Sequence, residues 1–197
     1  MDAILDAADA VFLELGFEEA STNHIAAAAG TSIGSIYRFF PDKDAILVAL
    51  AERYAVAMQA IAASVTPPGP GPVSLAEQVS RGIDQFNAFL AANRGYVTLI
   101  RQAQHPALRA GHAAQQASMV ALIRASQAAY APHLEAAEIA AIAEVTETVL
   151  SALQILSLTR DEPFRARVIA EAKLLVSTYL SHRLGCPEEG AGRGEMV

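Results

Sequence analysis

Between Ser21 and Lys43 the chain reads STNHIAAAAGTSIGSIYRFFPDK, and this stretch constrains the fold more than any other. Ser21 can cap a helix carrying Ile25, Ala26, Ala28 and Ala29, whose small side chains let a second helix cross closely. Gly30 stops that helix, Thr31 and Ser32 form the turn, and Ser32 caps a second helix over residues 33–40. Ile36 and Phe40, four apart, face inward, which leaves Ile33, Gly34, Ser35, Tyr37 and Arg38 to a partner. Pro41 ends the segment. Asp42, Lys43 and Asp44 then fall in the first turn of a further helix, where acidic side chains are favoured and free N–H groups can meet a phosphate. Two short helices around a glycine turn have the spacing of a helix-turn-helix that reads DNA.

The remainder reads as helix throughout, so the expected fold class is all-α. Helix one runs from an Asp2 cap to about Leu15, with Ile4, Leu5, Ala8, Val11, Phe12 and Leu15 on one face. The helix starting near Asp42 continues through Leu50, Tyr54, Met58 and Ile61, until TPPGPGP at 66–72 breaks it. Further helices are expected over 74–92, 95–104, from His105 to about Tyr130, over 134–159, and from Glu162 to about His182. The expected division is a helix-turn-helix domain over 1–48, a helical domain over 49–185 and a disordered tail over 186–197.

Charge works against a DNA-binding reading. Residues 1–53 hold nine acidic and three basic side chains, within a chain of net charge −7, whereas a nucleic-acid-binding module is expected to carry a basic footprint. Most of the acidic groups belong to helix one and its loop, while Arg38 and Lys43 bracket the expected reading surface. Neutral donors then carry much of the binding, with few released counterions and a shallow salt dependence. A helical small-molecule-binding or interaction protein that has lost DNA binding is the alternative this charge keeps open.

The same residues resemble the N-terminal domain of the TetR family of transcriptional regulators. The resemblance covers about the first fifty residues and rests on Ala7, Ala8, Phe12, Gly16 and Phe17, then IAAAAG, then Ser32, Gly34, Tyr37, Phe40 and Lys43. It implies a three-helix DNA-binding domain followed by a helical domain for ligand binding and dimerisation. It further implies double-stranded DNA with a palindromic operator, a small-molecule effector and a second copy of the chain as partners, and most simply a repressor released by its effector.

On that basis Ile33, Gly34, Ser35 and Arg38 are expected near base edges, since glycine permits close approach, isoleucine suits a thymine methyl and arginine suits guanine or a phosphate. Ser21, Ser32, Tyr37 and Lys43 are expected on the DNA backbone. Plain capping by the two serines, packing of Tyr37 on helix one and a solvated Lys43 are the competing readings. The resemblance also implies an effector pocket, for which Met58, Phe86, Asn87, Phe89, Tyr96, Ile100, Gln104, His112, Gln116, Met119, Thr146 and Leu150 are candidates. Few of these are charged, so the effector is expected to be mostly apolar. The last two long helices offer more apolar surface than one neighbour covers, and Val149, Leu153, Leu156, Val168, Leu175, Val176 and Tyr179 are the candidates for a two-fold dimer interface.

Other function classes find little support. No Glu-x-x-His occurs at the five histidines, there is no Gly-x-Ser-x-Gly elbow, and the single cysteine, Cys186, lies in the expected tail, so neither an enzyme nor a cofactor or metal site is indicated. No uninterrupted apolar run of eighteen and no basic-then-apolar N-terminal segment is found, which points to the cytoplasm rather than a membrane.

Overall fold

The computed structural model describes residues 1–65, 74–158 and 161–186. The expected break at 66–72, and the tail beyond Cys186, lie outside the described residues. The described residues form α-helices and one short 3-10 turn, with no strand among them: α1 Asp2–Leu15, α2 Thr22–Ala28, α3 Ile33–Phe39, α4 Lys43–Val65, α5 Leu75–Ala92, α6 Tyr96–Arg101, the turn Pro106–Leu108, α7 Arg109–Tyr130, α8 Ala136–Leu158 and α9 Glu162–Leu184.

Local chemistry accounts for the helix-turn-helix. Ser21 caps α2 by accepting the His24 N–H, and Ser32 caps α3 by accepting the Ser35 N–H, both at 3.2 Å. Gly30, at φ 62°, takes the left-handed conformation that lets the chain leave α2, and the Thr31 N–H then closes onto the Ala26 carbonyl. Ile25 and Ile36 are fully buried and Phe40 nearly so, with α2 packed on α1 and α3 on α2. Asp42 caps α4, accepting the Ala45 N–H at 2.7 Å. At the N-terminus of α1 the cap is Met1 rather than Asp2: its carbonyl takes the Ile4 and Leu5 N–H groups, while Asp2 occupies the first turn.

The chain forms two compact units, and the boundary between them falls inside α4, α5 and α7. The first comprises Met1–Gln59 and Ala88–Ala117, so α6 and the start of α7 belong to the same unit as the helix-turn-helix. In this unit α1 lies against both α2 and α6. A Cβ at Gly95, just before α6, would overlap the Asp9 carboxylate, so only glycine allows this approach. The Tyr54 hydroxyl donates to Asp9 Oδ1 at 2.8 Å. Burial lifts the Asp9 carboxyl above its ordinary range, against the pull of the Tyr54 hydrogen bond and the Arg53 charge.

The second unit comprises Ala60–Asn87 and the chain from Ser118 onward. Its core joins Ala131, Ile139, Ile142, Val176, Leu180 and Leu184, with α8 packed along α9. Cys186, expected in a loose tail, is half-buried against this core. Gly185 at φ 68° ends α9 and turns the chain back, so that the Cys186 N–H bonds to the Ser181 carbonyl at 3.0 Å.

Two helices, Lys43–Val65 and Ala136–Leu158, are long and apolar enough to cross a membrane by length and composition. Within the described residues α4 buries Ile46, Leu47, Leu50, Tyr54 and Met58, and α8 lies along α9.

Candidate nucleic-acid interface

The caps and the buried Ile36 leave one face of α3 outward. Ile33, Gly34, Tyr37, Arg38 and Phe39 are exposed, and Ser35 is half-buried because its hydroxyl meets Ser32 Oγ at 3.0 Å. Tyr37 is 55% exposed, so it does not pack into the domain as a core ring would. Its hydroxyl reaches Thr22 Oγ1 at 3.3 Å, which joins the first residue of α2 to the middle of α3 and brings Ser21, Thr22 and Tyr37 onto one surface. Arg38 extends over the Phe39 ring, with its guanidinium carbon 5.2 Å from the centroid. Thr22 and Phe39 belong to this surface although the sequence pattern did not single them out. Thr22 has no periodic signal, and the inward pair Ile36 and Phe40 left Phe39 without an assigned role.

Lys43 is placed otherwise than expected. Its Nζ donates to the carbonyls of Phe17 at 2.6 Å, Ala20 at 2.9 Å and Glu18 at 3.1 Å, and sits 4.4 Å from the centre of the Phe17 ring. An ammonium group has three protons, and these three carbonyls occupy them all. The side chain therefore ties the α1–α2 loop to the start of α4 instead of being held out to a phosphate. With Arg53 paired to Asp6, Arg38 is the cation that the exposed face of α3 presents.

The twelve effector candidates are divided between the two units. Met58, Phe89, Tyr96, Ile100, Gln104, His112 and Gln116 belong to the first unit, and Phe86, Asn87, Met119, Thr146 and Leu150 to the second. Phe89 and Tyr96 stack edge-on with Tyr54 at centroid separations of 5.4 to 6.0 Å, an aromatic core cluster in which burial pushes the Tyr96 phenol up. Met58 is buried and its sulfur accepts from Gln115 Nε2, while Ile100 is half-buried. Gln104, His112 and Gln116 are exposed. In the second unit Asn87 donates to the Ile83 carbonyl of its own helix, Phe86 and Met119 are half-buried, and Leu150 packs on the core. Thr146 is buried beside Gln127, a residue the periodicity did not mark because a lone glutamine on a mixed helix face reads as surface.

The dimer candidates divide by burial. Val168 and Val176 are buried within their own unit, Val176 in its core, and Val149 and Tyr179 pack against that core. Leu153 and Leu156 are half-buried, and Leu175 is 53% exposed. Besides Leu175, the uncovered apolar residues of these helices are Val145 and Ile155 on α8, and Phe164 and Leu174 on α9.

Comparison with known proteins agrees with this geometry. The family described as bacterial regulatory proteins, tetR family, matches residues 4–50, and that described as tetracyclin repressor-like, C-terminal domain, matches residues 74–180. A curated relative, the HTH-type transcriptional repressor Rv1474c of Mycobacterium tuberculosis, is 30% identical over 118 residues, covering 60% of this chain and 59% of the relative, so the match spans less than two thirds of that protein. Among solved structures, a TetR-like transcriptional regulator from Rhodococcus sp. RHA1 superposes with a TM-score of 0.68 at 22% identity, covering 94% of this chain and 96% of that one. Salmonella enterica GusR gives 0.71 at 19%, with 94% and 95% covered, and the SmeT–triclosan complex 0.70 at 18%, with 92% and 90%. At these identities the structures establish the fold alone. The second family description spans more than half of the residues and the first covers the helix-turn-helix, so the chain belongs to the TetR family of transcriptional regulators.

Proposed function

We propose that this regulator is a cytoplasmic repressor that binds a palindromic operator as a homodimer and is released by a small, mostly apolar effector. The observation that carries the reading is the outward face of α3, where Ile33, Gly34, Tyr37 and Arg38 are exposed on a helix capped and pinned from behind. Ile33, Gly34, Ser35 and Arg38 would approach base edges, and Ser21, Ser32 and Tyr37 would hold the backbone. One short helix reads only a few base pairs, so two copies about 34 Å or a multiple apart are needed for a useful site. The exposed apolar side chains of α8 and α9 supply a surface for that second copy. The repressor sign is supported by the curated relative, itself a repressor, and an apolar effector by the triclosan complex among the structural neighbours.

The acidic first unit sustains one competing reading, a ligand-binding protein without DNA binding. Selection of duplexes from a random pool, followed by fluorescence anisotropy at two salt concentrations, separates the two. A palindromic winner bound by two chains, with Arg38→Ala losing about 1–3 kcal/mol of base discrimination at its contacted position, supports the regulator. No enrichment at low salt would leave the competing reading.

A further inference from the structure

Polar side chains buried by folding are costly unless they are hydrogen-bonded, and among the described residues all of them but Thr98 lie in the second unit. Gln78 on α5, Ser126 and Gln127 on α7, and Thr146 and Glu147 on α8 are each less than 9% exposed. Gln78 Oε1 accepts from the Tyr130 hydroxyl, and Glu147 Oε1 accepts from Ser151 Oγ at 2.7 Å. Thr146 Oγ1 donates to the Ile142 carbonyl at 2.7 Å and accepts from Gln127 Nε2 at 3.2 Å. Among the buried side-chain N and O atoms of the described residues, Gln127 Oε1 is the one without a hydrogen-bond partner, on a residue only 4% exposed.

The two ends of that amide are not interchangeable. Thr146 has one hydroxyl proton, and it goes back to Ile142, so its oxygen has only lone pairs to offer and must face a donor. Nε2 therefore turns toward Thr146, and Oε1 is left with two unused lone pairs away from water. On the same side of α7, Ile123 and Val120, one and two turns back from Gln127, are half-buried, as is Met119. Glu147 follows Thr146 directly, so its side chain leaves α8 about 100° away from it, and its carboxylate is already engaged by Ser151.

We infer that Gln127 is the polar anchor of the effector site, with Oε1 accepting a hydrogen bond from an uncharged O–H or N–H on a compact, mostly apolar ligand. This rests on the effector reading proposed above and narrows its chemistry. An amide oxygen supplies lone pairs but no countercharge, so it suits a neutral donor; the apolar remainder of the ligand would cover the half-buried side chains of α7.

Gln127→Met tests it, because methionine keeps the length of the side chain and removes the unpartnered carbonyl together with the amide donor to Thr146, whose own proton still goes to Ile142. Phenol and anisole serve as probes, since they differ chiefly in the O–H. Thermal unfolding of the full chain is followed against the concentration of each. Phenol is expected to raise the melting temperature of the native protein more than anisole does, and Gln127→Met to weaken phenol about tenfold, the scale of one buried hydrogen bond. Without ligand the variant is expected to melt no lower than the native protein. Equal shifts by phenol and anisole, or a phenol preference that survives in Gln127→Met, would overturn the anchor and leave an effector site standing. No shift by either probe would overturn the anchor together with the effector reading. A variant that melts well below the native protein and keeps the phenol preference would assign Gln127 a structural role instead.

Discussion

Replacing Lys43 with methionine separates two roles that both fit the sequence. Methionine keeps most of the aliphatic stem and removes the ammonium that donates to Phe17, Glu18 and Ala20. The bonds to Phe17 and Ala20 are part-buried, and each contributes about 1 kcal/mol or somewhat more because the donor is charged. Water can replace the exposed bond to Glu18, which is therefore counted as nothing. The contact with the Phe17 ring at 4.4 Å adds about 0.5–1 kcal/mol. The expected loss is then about 2–3 kcal/mol, and at about 2–4 °C per kcal/mol for a protein of this size the melting temperature falls by about 5–10 °C. Circular dichroism on heating reads this directly. The salt dependence of operator binding should keep its slope, because no phosphate contact is removed. A phosphate-bound Lys43 would behave in the opposite way, lowering the slope by about 0.9 per chain. An unchanged melting temperature with a slope reduced by that amount would refute the clamp.

Gly95→Ala drives a methyl group into the Asp9 carboxylate and should destabilise the first unit by about 1–3 kcal/mol in urea; adding Asp9→Ala should recover part of that loss, and independent effects would rule out a shared contact. Burial holds the phenols of Tyr54, Tyr96 and Tyr130 above their ordinary value of 10, that of Tyr54 helped by its hydrogen bond to Asp9. The folded state therefore keeps protons that the unfolded chain gives up above about pH 10, so this stabilisation is complete below that pH and is lost as pH rises through the folded values. Tyrosinate absorbance should lag behind that of the denatured protein, and simultaneous ionisation would contradict the burial. If the proposed homodimer forms through α8 and α9, Leu174→Glu combined with Leu175→Glu, which places charge on the exposed face of α9, should give a lower sedimenting mass than the native protein, whereas Val176→Ala, a core change, should lower stability by about 0.5–2 kcal/mol without changing mass; equal masses for the native protein and the double variant would refute that interface.

Much of the first fifty residues could be read in advance because their structure is made locally. The Ser21 and Ser32 caps, the left-handed Gly30 and the inward pair Ile36 and Phe40 depend on partners within five residues or on a single steric rule, so residue type and spacing suffice. Helix existence elsewhere was equally legible, with ends displaced by one to four residues, most at the end of α6 and the start of α7, where the 3-10 turn Pro106–Leu108 took over.

The roles that depended on distant partners were not legible. Lys43 meets carbonyls 23 to 26 residues away, and nothing in its own neighbourhood distinguishes a clamp from a phosphate ligand. On α8 apolar residues occur around the whole circumference, so periodicity could not tell the face of Ile139 and Ile142, turned inward, from that of Val145 and Ile155, left open. On α9 Val176 is buried and its neighbours Leu174 and Leu175 are exposed, an assignment made only when the helix is laid against α8. Gln127 acquires its meaning in the same way: Thr146, 19 residues on, spends its only proton on Ile142 and so leaves the glutamine carbonyl without a donor. Backbone capping and turn geometry are short-range and written in residue order, whereas which face is buried and which polar atom is left over are properties of helices already packed.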